Sequence, residues 1–476
     1  MMTKIYCARW VLPVTSEPIE HGAVAVEGTR IAGVGARAVV VERFPSAEVE
    51  ELGEAAITPG FVNCHSHLEL TAMRGFLEPE EGNFFAWLRK VTFSRNERMS
   101  AEDLYVSAVW GAVEAARAGV TCVGDASDSG ACVMRALRDV GLRGVVFQEA
   151  FGVDEREAAT QFDKVREKVE RLRGGETALV TLGLSPHSPY TVAPPLLGML
   201  ARFALEERLP LMMHAAESEA EQLFMLYGSG PFAESYAARG LVFNSPRSTT
   251  VRHLARVGIL DTRPLLAHCV RVDEEDMRLI AEHGASIAHC PKSNAKLGHG
   301  RAPLAALLKA GASVGLGSDS VASNNTCDML EEARFAVLAS RAAGDTLDAA
   351  GNMLDVAGDL LDVAGDCAGG GRMMSARDAL RLMTHGGAGA LRLSHLTGAL
   401  TAGLEADFVA VRLDGAHQTP AYDPSAALIF SSSGRDVLLT VVAGREVFRD
   451  GRVTTVDESD LRARVRDIAR RLAAGR

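Results

Sequence analysis

ITPGFVNCHSHLEL, residues 57–70, poses the question of fold. An apolar run ends in two histidines one residue apart, and a glutamate follows. One reading is a half-buried strand with nothing special on it. The other is the first piece of a metal site. Residues i and i+2 of a strand share a face, so His65 and His67 can reach one ion together. An HxH pair is a weak signal by itself, so the rest of the chain has to decide.

Outward from this stretch the middle of the chain alternates. AEDLYVSAVWGAVEAARAG (101–119) reads as a helix and VTCVGDAS (120–127) as a strand. GACVMRALRDVG (130–141) is a helix and LRGVVFQEAF (142–151) a strand. A charged helix over 154–173 leads to the strand ALVTLGLSPH (178–187). The helix APPLLGMLARFALEER (193–208) leads to LPLMMHAAE (209–217). RPLLAHCV (263–270), ASIAHCP (285–291), the helix PLAALLKAG (303–311) and ASVGLGSDS (312–320) complete the series. Strands alternating with helices mean parallel βαβ units. About eight of them fit a closed, distorted (β/α)8 barrel over 59–395. An open doubly wound sheet is the alternative, weakened because no GxGxxG follows the first strand.

The two ends have another texture. GAVAVEGTRIAGVG (22–35) holds two β-rich runs split by a hairpin signal, and GALTAGLEADFVAVRLD (398–414) and VLLTVVAGREVFRDGRV (437–453) resemble it. Residues 1–58 and 396–476 are expected to build one small β-sandwich, closed by a C-terminal helix. Residues 346–372 read as an insertion, with MLDVAGD and LLDVAGD back to back before CAGGGR. A repeat this short is no solenoid. Its glycines weaken any helix by about 1 kcal/mol each against alanine. It is expected to be a surface excursion.

Composition narrows the function classes. A net charge of −11 disfavours nucleic acid, whose affinity needs clustered Lys and Arg. No apolar run approaches the roughly 18 residues of a membrane span. The start MMTKIYCARWVLP lacks a signal-peptide core, because Arg9 breaks its apolar run. A cytoplasmic protein is expected, acting on a small molecule, with room for a homodimer on its long apolar helices. The eight cysteines form no CxxC pair, so they read as buried hydrophobes, not as a zinc ribbon or disulfide frame.

The chemistry sits at the predicted strand ends. His65, His67, His187, His214, His268 and Asp319 each close an apolar run. In a parallel barrel these ends open on one face, where active sites are built. His65, His67, His214 and Asp319 then make a three-imidazole, one-carboxylate shell. It suits one divalent ion, Zn2+ first, with Fe2+ or Mn2+ as alternatives. Such an ion activates water, so the function class is hydrolysis. Glu217, three residues past His214, is placed to move a proton to the atom beside the attacked carbon. His268 orients the attacking group, Asp319 binds metal and takes the water's proton, and His187 faces substrate.

At this point the residues resemble the amidohydrolase superfamily, in its mononuclear aminohydrolase branch of nucleoside, guanine and triazine hydrolases. The matching pieces are TPGFVNCHSHLELTAMRG, SPHSPYTV, HAAESEAE, LLAHCV, AHCPKSNAKLG, APLAALLKAG, GLGSDSVASNN and GALTAGLEADFVAV. The resemblance implies the barrel with a β-sandwich from both termini. It also implies the same ligands, with Glu217 and His268 catalytic. One metal is implied, since binuclear relatives bridge two ions with a modified lysine where this chain has His187. HSHLEL, GDAS and ESEAEQLFMLYGSGPF look most like the aminodeoxyfutalosine deaminases of menaquinone biosynthesis. In that reaction an adenine amino group is replaced by oxygen. The likeness makes Glu69 and His187 substrate contacts, against the alternative of a salt-bridged Glu69. NFFAWLRKV (83–91) is expected as a loop that brings Trp87 and Arg89 over the site, with core packing the alternative for Trp87. The open alternatives are S-adenosylhomocysteine, methylthioadenosine or adenosine as substrate, a triazine or other C–N bond, and a scaffold without catalysis.

Overall fold

The computed structural model describes residues 3–348 and 371–474. Eight parallel strands occupy the middle of the chain. β1 (Phe61–Ser66), β2 (Val120–Ser127), β3 (Arg143–Ala150) and β4 (Val180–Pro186) pair in order. β5 (Met212–Ala215), β6 (Leu265–His268), β7 (Ser286–His289) and β8 (Ser313–Leu316) do the same. A parallel bridge from Leu184 to Leu211 joins the two sets, and the His214 N–H donates to the His187 carbonyl at 2.9 Å. On the other side the Asp319 N–H donates to the His65 carbonyl at 2.8 Å, which brings the end of β8 back to β1. The fold is α/β of the TIM-barrel type.

The strands are buried on both faces, as parallel strands under a helical layer must be. Cys122, Ala126, Val145, Phe147, Met212, Leu265 and Ala288 form an inner cluster drawn from five strands. Glycine lets those strands close up. A Cβ on Gly183 would lie 2.5 Å from the Phe147 ring, and one on Gly315 would lie 2.4 Å from Cys64 Sγ.

The outer helices follow from their spacing. In the helix Gly130–Val140, Val133, Met134, Leu137 and Val140 recur every three or four residues and are all buried. Gly141, at φ +88°, ends it in a left-handed conformation that favours glycine. Burying each such side chain stabilises by about 1.5–3 kcal/mol, so Leu137→Ala costs about 2–5 kcal/mol. The helix Ala101–Arg117 starts at a reciprocal Ser100–Asp103 capping box.

Both termini contribute to one nine-stranded sheet among the described residues. Thr3–Val11 lies between Ile19–Glu27 and Ala55–Pro59, and Phe408–Arg412 pairs antiparallel with Ala55–Pro59. The buried Arg143 guanidinium at the start of β3 donates to Asp407 at 2.7 Å, which ties this sheet to the barrel. The C-terminal helix spans Glu458–Ala474. Leu347–Asp348 pairs antiparallel with Gly371–Arg372. The MLDVAGD/LLDVAGD repeat falls outside the described residues. Among the described residues no helix is long and apolar enough to cross a membrane.

One local expectation is overturned. NFFAWLRKV is not a loop: Phe84–Arg98 is a helix, α1, capped by Asn83, whose side chain accepts from the Ala86 N–H. The cap and the good helix formers after it outweigh the aromatic start.

Candidate active site

The predicted strand-end residues meet on one face. His65 lies in β1 and His67 one residue past it. His214 lies in β5 and His268 ends β6. His187 follows β4 directly. Asp319 is not a strand residue: it stands three past the end of β8, at φ +57°. His268 (φ +76°) and Ala216 (φ +52°) share that uncommon backbone region, where strain gathers at functional sites.

The ligand atoms converge. Ring nitrogens of His65, His67 and His214 lie within 4.8 Å of one another, and so do the donor atoms of His65, His268 and Asp319. Asp319 Oδ1 is 3.3 Å from His65 Nε2 and 3.5 Å from His67 Nε2. His67 Nε2 and His214 Nε2 face each other at 3.2 Å. Buried His65 Nε2 and His268 Nε2 have no hydrogen-bond partner among the described residues. Orphaned imidazole nitrogens around a carboxylate oxygen, shut away from water, fit a divalent cation at that point.

The surroundings orient this set. His214 Nδ1 donates to the His187 carbonyl at 3.0 Å, which turns Nε2 toward the ligand cluster. Ser293 and Ser323 donate to Asp319 Oδ2 at 2.6 and 2.8 Å, leaving Oδ1 toward the imidazoles. His268 Nδ1 donates to Asn294 Oδ1 at 2.9 Å. His187 Nδ1 is 2.8 Å from Thr191 Oγ1. Burial pushes the His67 imidazole down to about 3 and His187 down to about 4, so both are neutral and able to donate a lone pair. Burial opposes ionisation of Asp319 too, but the imidazoles of His65, His268 and His67 hold its carboxyl well below the usual range.

Glu217 sits beside this cluster. Its Oε1 is 3.7 Å from His268 Nε2 and 3.4 Å from His299 Nε2. Burial alone would raise its pKa; His268 and His299 outweigh it and lower the carboxyl below its ordinary value. Glu221 pins the turn that carries it, accepting from the Ala216 and Glu217 N–H groups at 2.8 and 2.9 Å. Strand-end reading missed His299, which sits in the loop between Gly298 and Gly300 (φ +70° and +103°). The only sequence signal was a histidine between two glycines.

The other side of the mouth is acidic. Glu69 is buried and ion-paired: Arg95 Nε donates to it at 2.7 Å and the Ser129 N–H at 3.1 Å. Arg95 also reaches Asp128 at 3.1 Å. Asp125 accepts from the Leu68 N–H and from Ser66 and Ser127, and burial raises it to about 7. Glu149, at the end of β3, is pushed well above the usual range by burial, then by Glu69 and Asp128. Trp87 is buried and stacks near Phe84, whose ring meets His299 edge-on at 4.6 Å. Arg89 lies over Phe85 and lines a groove of about 770 Å³ between α1 and the helix Pro231–Ala238. Phe85, Tyr190, Thr191 and Phe232 share that groove, and Thr191 connects it to His187.

Comparison with known proteins agrees with this geometry. A profile of the amidohydrolase family matches residues 56–447. The 5-methylthioadenosine/S-adenosylhomocysteine deaminase of Pelotomaculum thermopropionicum is 32% identical over 455 residues, covering 95% of this chain and 94% of that protein. The same-named protein of Desulforamulus reducens is 31% identical over 461 residues, with 96% and 95% covered. An adenosine deaminase from Xanthomonas campestris, solved with bound zinc, superposes with a TM-score of 0.83 at 25% identity, covering 99% of each chain. The profile runs from before β1 into the returning C-terminal strands; the chain belongs to the amidohydrolase family and is a hydrolase acting on C–N bonds.

Proposed function

We propose that the protein is a hydrolytic deaminase of adenine-type nucleosides, using His65, His67, His214 and Asp319 to hold one divalent ion. The observation that carries this is Glu217, ionised between His268 and His299 and aimed at the ligand cluster. A bound ion supplies Lewis acidity and an activated water. Glu217 takes a proton at Oε1 and delivers it to the ring nitrogen beside the attacked carbon. Its lowered pKa suits it to begin as the base. Asp319 Oδ1 accepts the second proton of water for the departing amine. His268, held by Asn294, fixes the direction of attack. The balance is amine plus water to carbonyl plus ammonia.

The finer proposal is 6-amino-6-deoxyfutalosine as substrate, which would put the enzyme in menaquinone biosynthesis. Its support is that the motifs carrying that resemblance make contacts beside the ligand cluster. HSHLEL and GDAS lock together through Asp125 and the Leu68 N–H at 2.7 Å. Phe232 of GSGPF stacks on Tyr190 of SPHSPY at 4.0 Å. The groove along α1 reaches Thr191, the hydrogen-bond partner of His187. In this reading His187 contacts substrate, Trp87 backs the wall through Phe84, and Glu69 acts through Arg95. A second reading, methylthioadenosine or S-adenosylhomocysteine, is favoured by the names of the full-length relatives. Ammonia release from these four compounds (adenosine included) by zinc-loaded protein separates the readings. Preference for aminodeoxyfutalosine is expected; preference for a thionucleoside replaces it, and turnover of none removes the nucleoside class.

A further inference from the structure

We propose that Glu149 and Ser185 form the part of the site that takes the ribose hydroxyls of the substrate. This rests on the nucleoside reading above.

The placement comes from strand parity. Val145 and Phe147 of β3 lie in the inner cluster of the barrel, and Gly183 of β4 abuts the Phe147 ring. Two residues further along each strand come Glu149 and Ser185, directly opposite in register. They are the next layer up, on the inward face, at the mouth. His187 follows two residues later, on the same side of the chain. A carboxylate oxygen of Glu149 and ring nitrogens of His187 and His214 lie within 4.8 Å of one another.

Each group has a buried oxygen without a partner among the described residues. Glu149 is 7% exposed and Ser185 fully buried, yet neither Glu149 Oε1 nor Ser185 Oγ makes a hydrogen bond among the described residues. The neighbouring cation is already engaged, because Arg95 is taken by Glu69 and Asp128. Buried polar groups left unpaired beside a reaction centre call for a ligand that supplies the missing bonds. In a nucleoside the choice is narrow. The ring nitrogens of adenine are acceptors, and its one N–H donor is the amine that leaves. A carboxyl oxygen that accepts finds its donor in one sugar hydroxyl, and the adjacent hydroxyl, donor and acceptor at once, satisfies Ser185.

The test compares Glu149→Leu and Glu149→Gln with wild type, using whichever of the four nucleosides the wild-type enzyme deaminates and its 2′,3′-dideoxy analogue. On the ribonucleoside, Glu149→Leu is expected to lose about 10- to 100-fold in kcat/KM, carried by KM. On the dideoxy analogue the loss should stay under about threefold, because the contact is already missing. Glu149→Gln keeps an acceptor oxygen and should recover most of the loss. Metal content and melting temperature, read in parallel, should match wild type for Glu149→Gln. Equal losses on both sugars would overturn the assignment and leave Glu149 a structural group. A fall in bound metal in both variants would make Glu149 a ligand instead. If wild type deaminates no nucleoside, the underlying reading fails and this one with it.

Discussion

Glu217 and Glu149 are both buried carboxyls on one barrel face, yet their surroundings drive them apart. Glu217 lies between two imidazoles, His268 and His299, and is held ionised. Glu149 shares its side of the mouth with Glu69 and Asp128, and burial together with those carboxylates raises its pKa. Burial raises both; the neighbours decide the sign. One side of the mouth thus favours a charged carboxyl and the other opposes one. Two carboxyls with separated roles, set by environment alone, is a recurring way for one site to run acid–base chemistry at neutral pH.

The sharpest way to break this contrast is Glu217→Gln. Turnover should fall about 100- to 10,000-fold, with fold and bound metal retained, as measured by steady-state kinetics beside elemental analysis. Full activity would remove Glu217 from the mechanism. Next in size is Arg95→Met on the acidic side. It leaves Glu69 buried without its cation and should cost about 3–5 kcal/mol in urea unfolding, with a smaller effect on kcat. A large kcat loss at unchanged stability would place Arg95 in the chemistry. His299→Ala removes one of the two groups that keep Glu217 ionised. Its acid limb should move upward, with a loss of activity on the acid side that shrinks at higher pH. An unmoved limb would show that His268 alone sets Glu217.

The smallest effect is in the wild-type pH profile. Glu217 ionises below its ordinary value, and His67 and His187 stay neutral until about pH 3 and 4. The acid limb of kcat/KM should therefore lie below pH 4.5, not near the 6.5 of a free imidazole. Stability of the metal-free chain follows the same histidines with a definite sign. Their folded pKa values are depressed, so the stability they contribute is present above about 6.5 and lost as pH falls. Asp125, Glu221 and Glu332, raised to about 7, 7 and 8 by burial, act oppositely and lose stability as pH rises from about 4.5 through those values. Between about pH 4.5 and 6.5 the two sets oppose each other, and chemical unfolding across that window should give a flatter curve than either set alone would produce.

The contrast also separates what was legible from what was not. His65, His67, His187, His214 and His268 could be found because each closes an apolar run, and strand periodicity tells which residues share a face. Asp319 was found by the same rule although it stands beyond its strand, carried back to the imidazoles by a left-handed turn. His299 escaped because a loop between glycines has no period. Glu149 escaped because VVFQEAF reads as a buried strand, and only its register against Ser185 shows where the carboxyl goes. Glu69 was visible from its place after HSH, but its partner Arg95 lies on α1, which the aromatic-rich NFFAW had suggested was a loop.

The sequence by itself determined the alternation of strands and helices, the face on which the imidazoles gather and the donor set offered to a metal. These depend on periodicity and residue type, which act within a few neighbours along the chain. Only the tertiary structure decided which carboxyl's ionisation is favoured, which is opposed and which is spent on an ion pair. Those outcomes depend on burial and on charges brought from distant segments, and neither is written in the spacing of any one stretch.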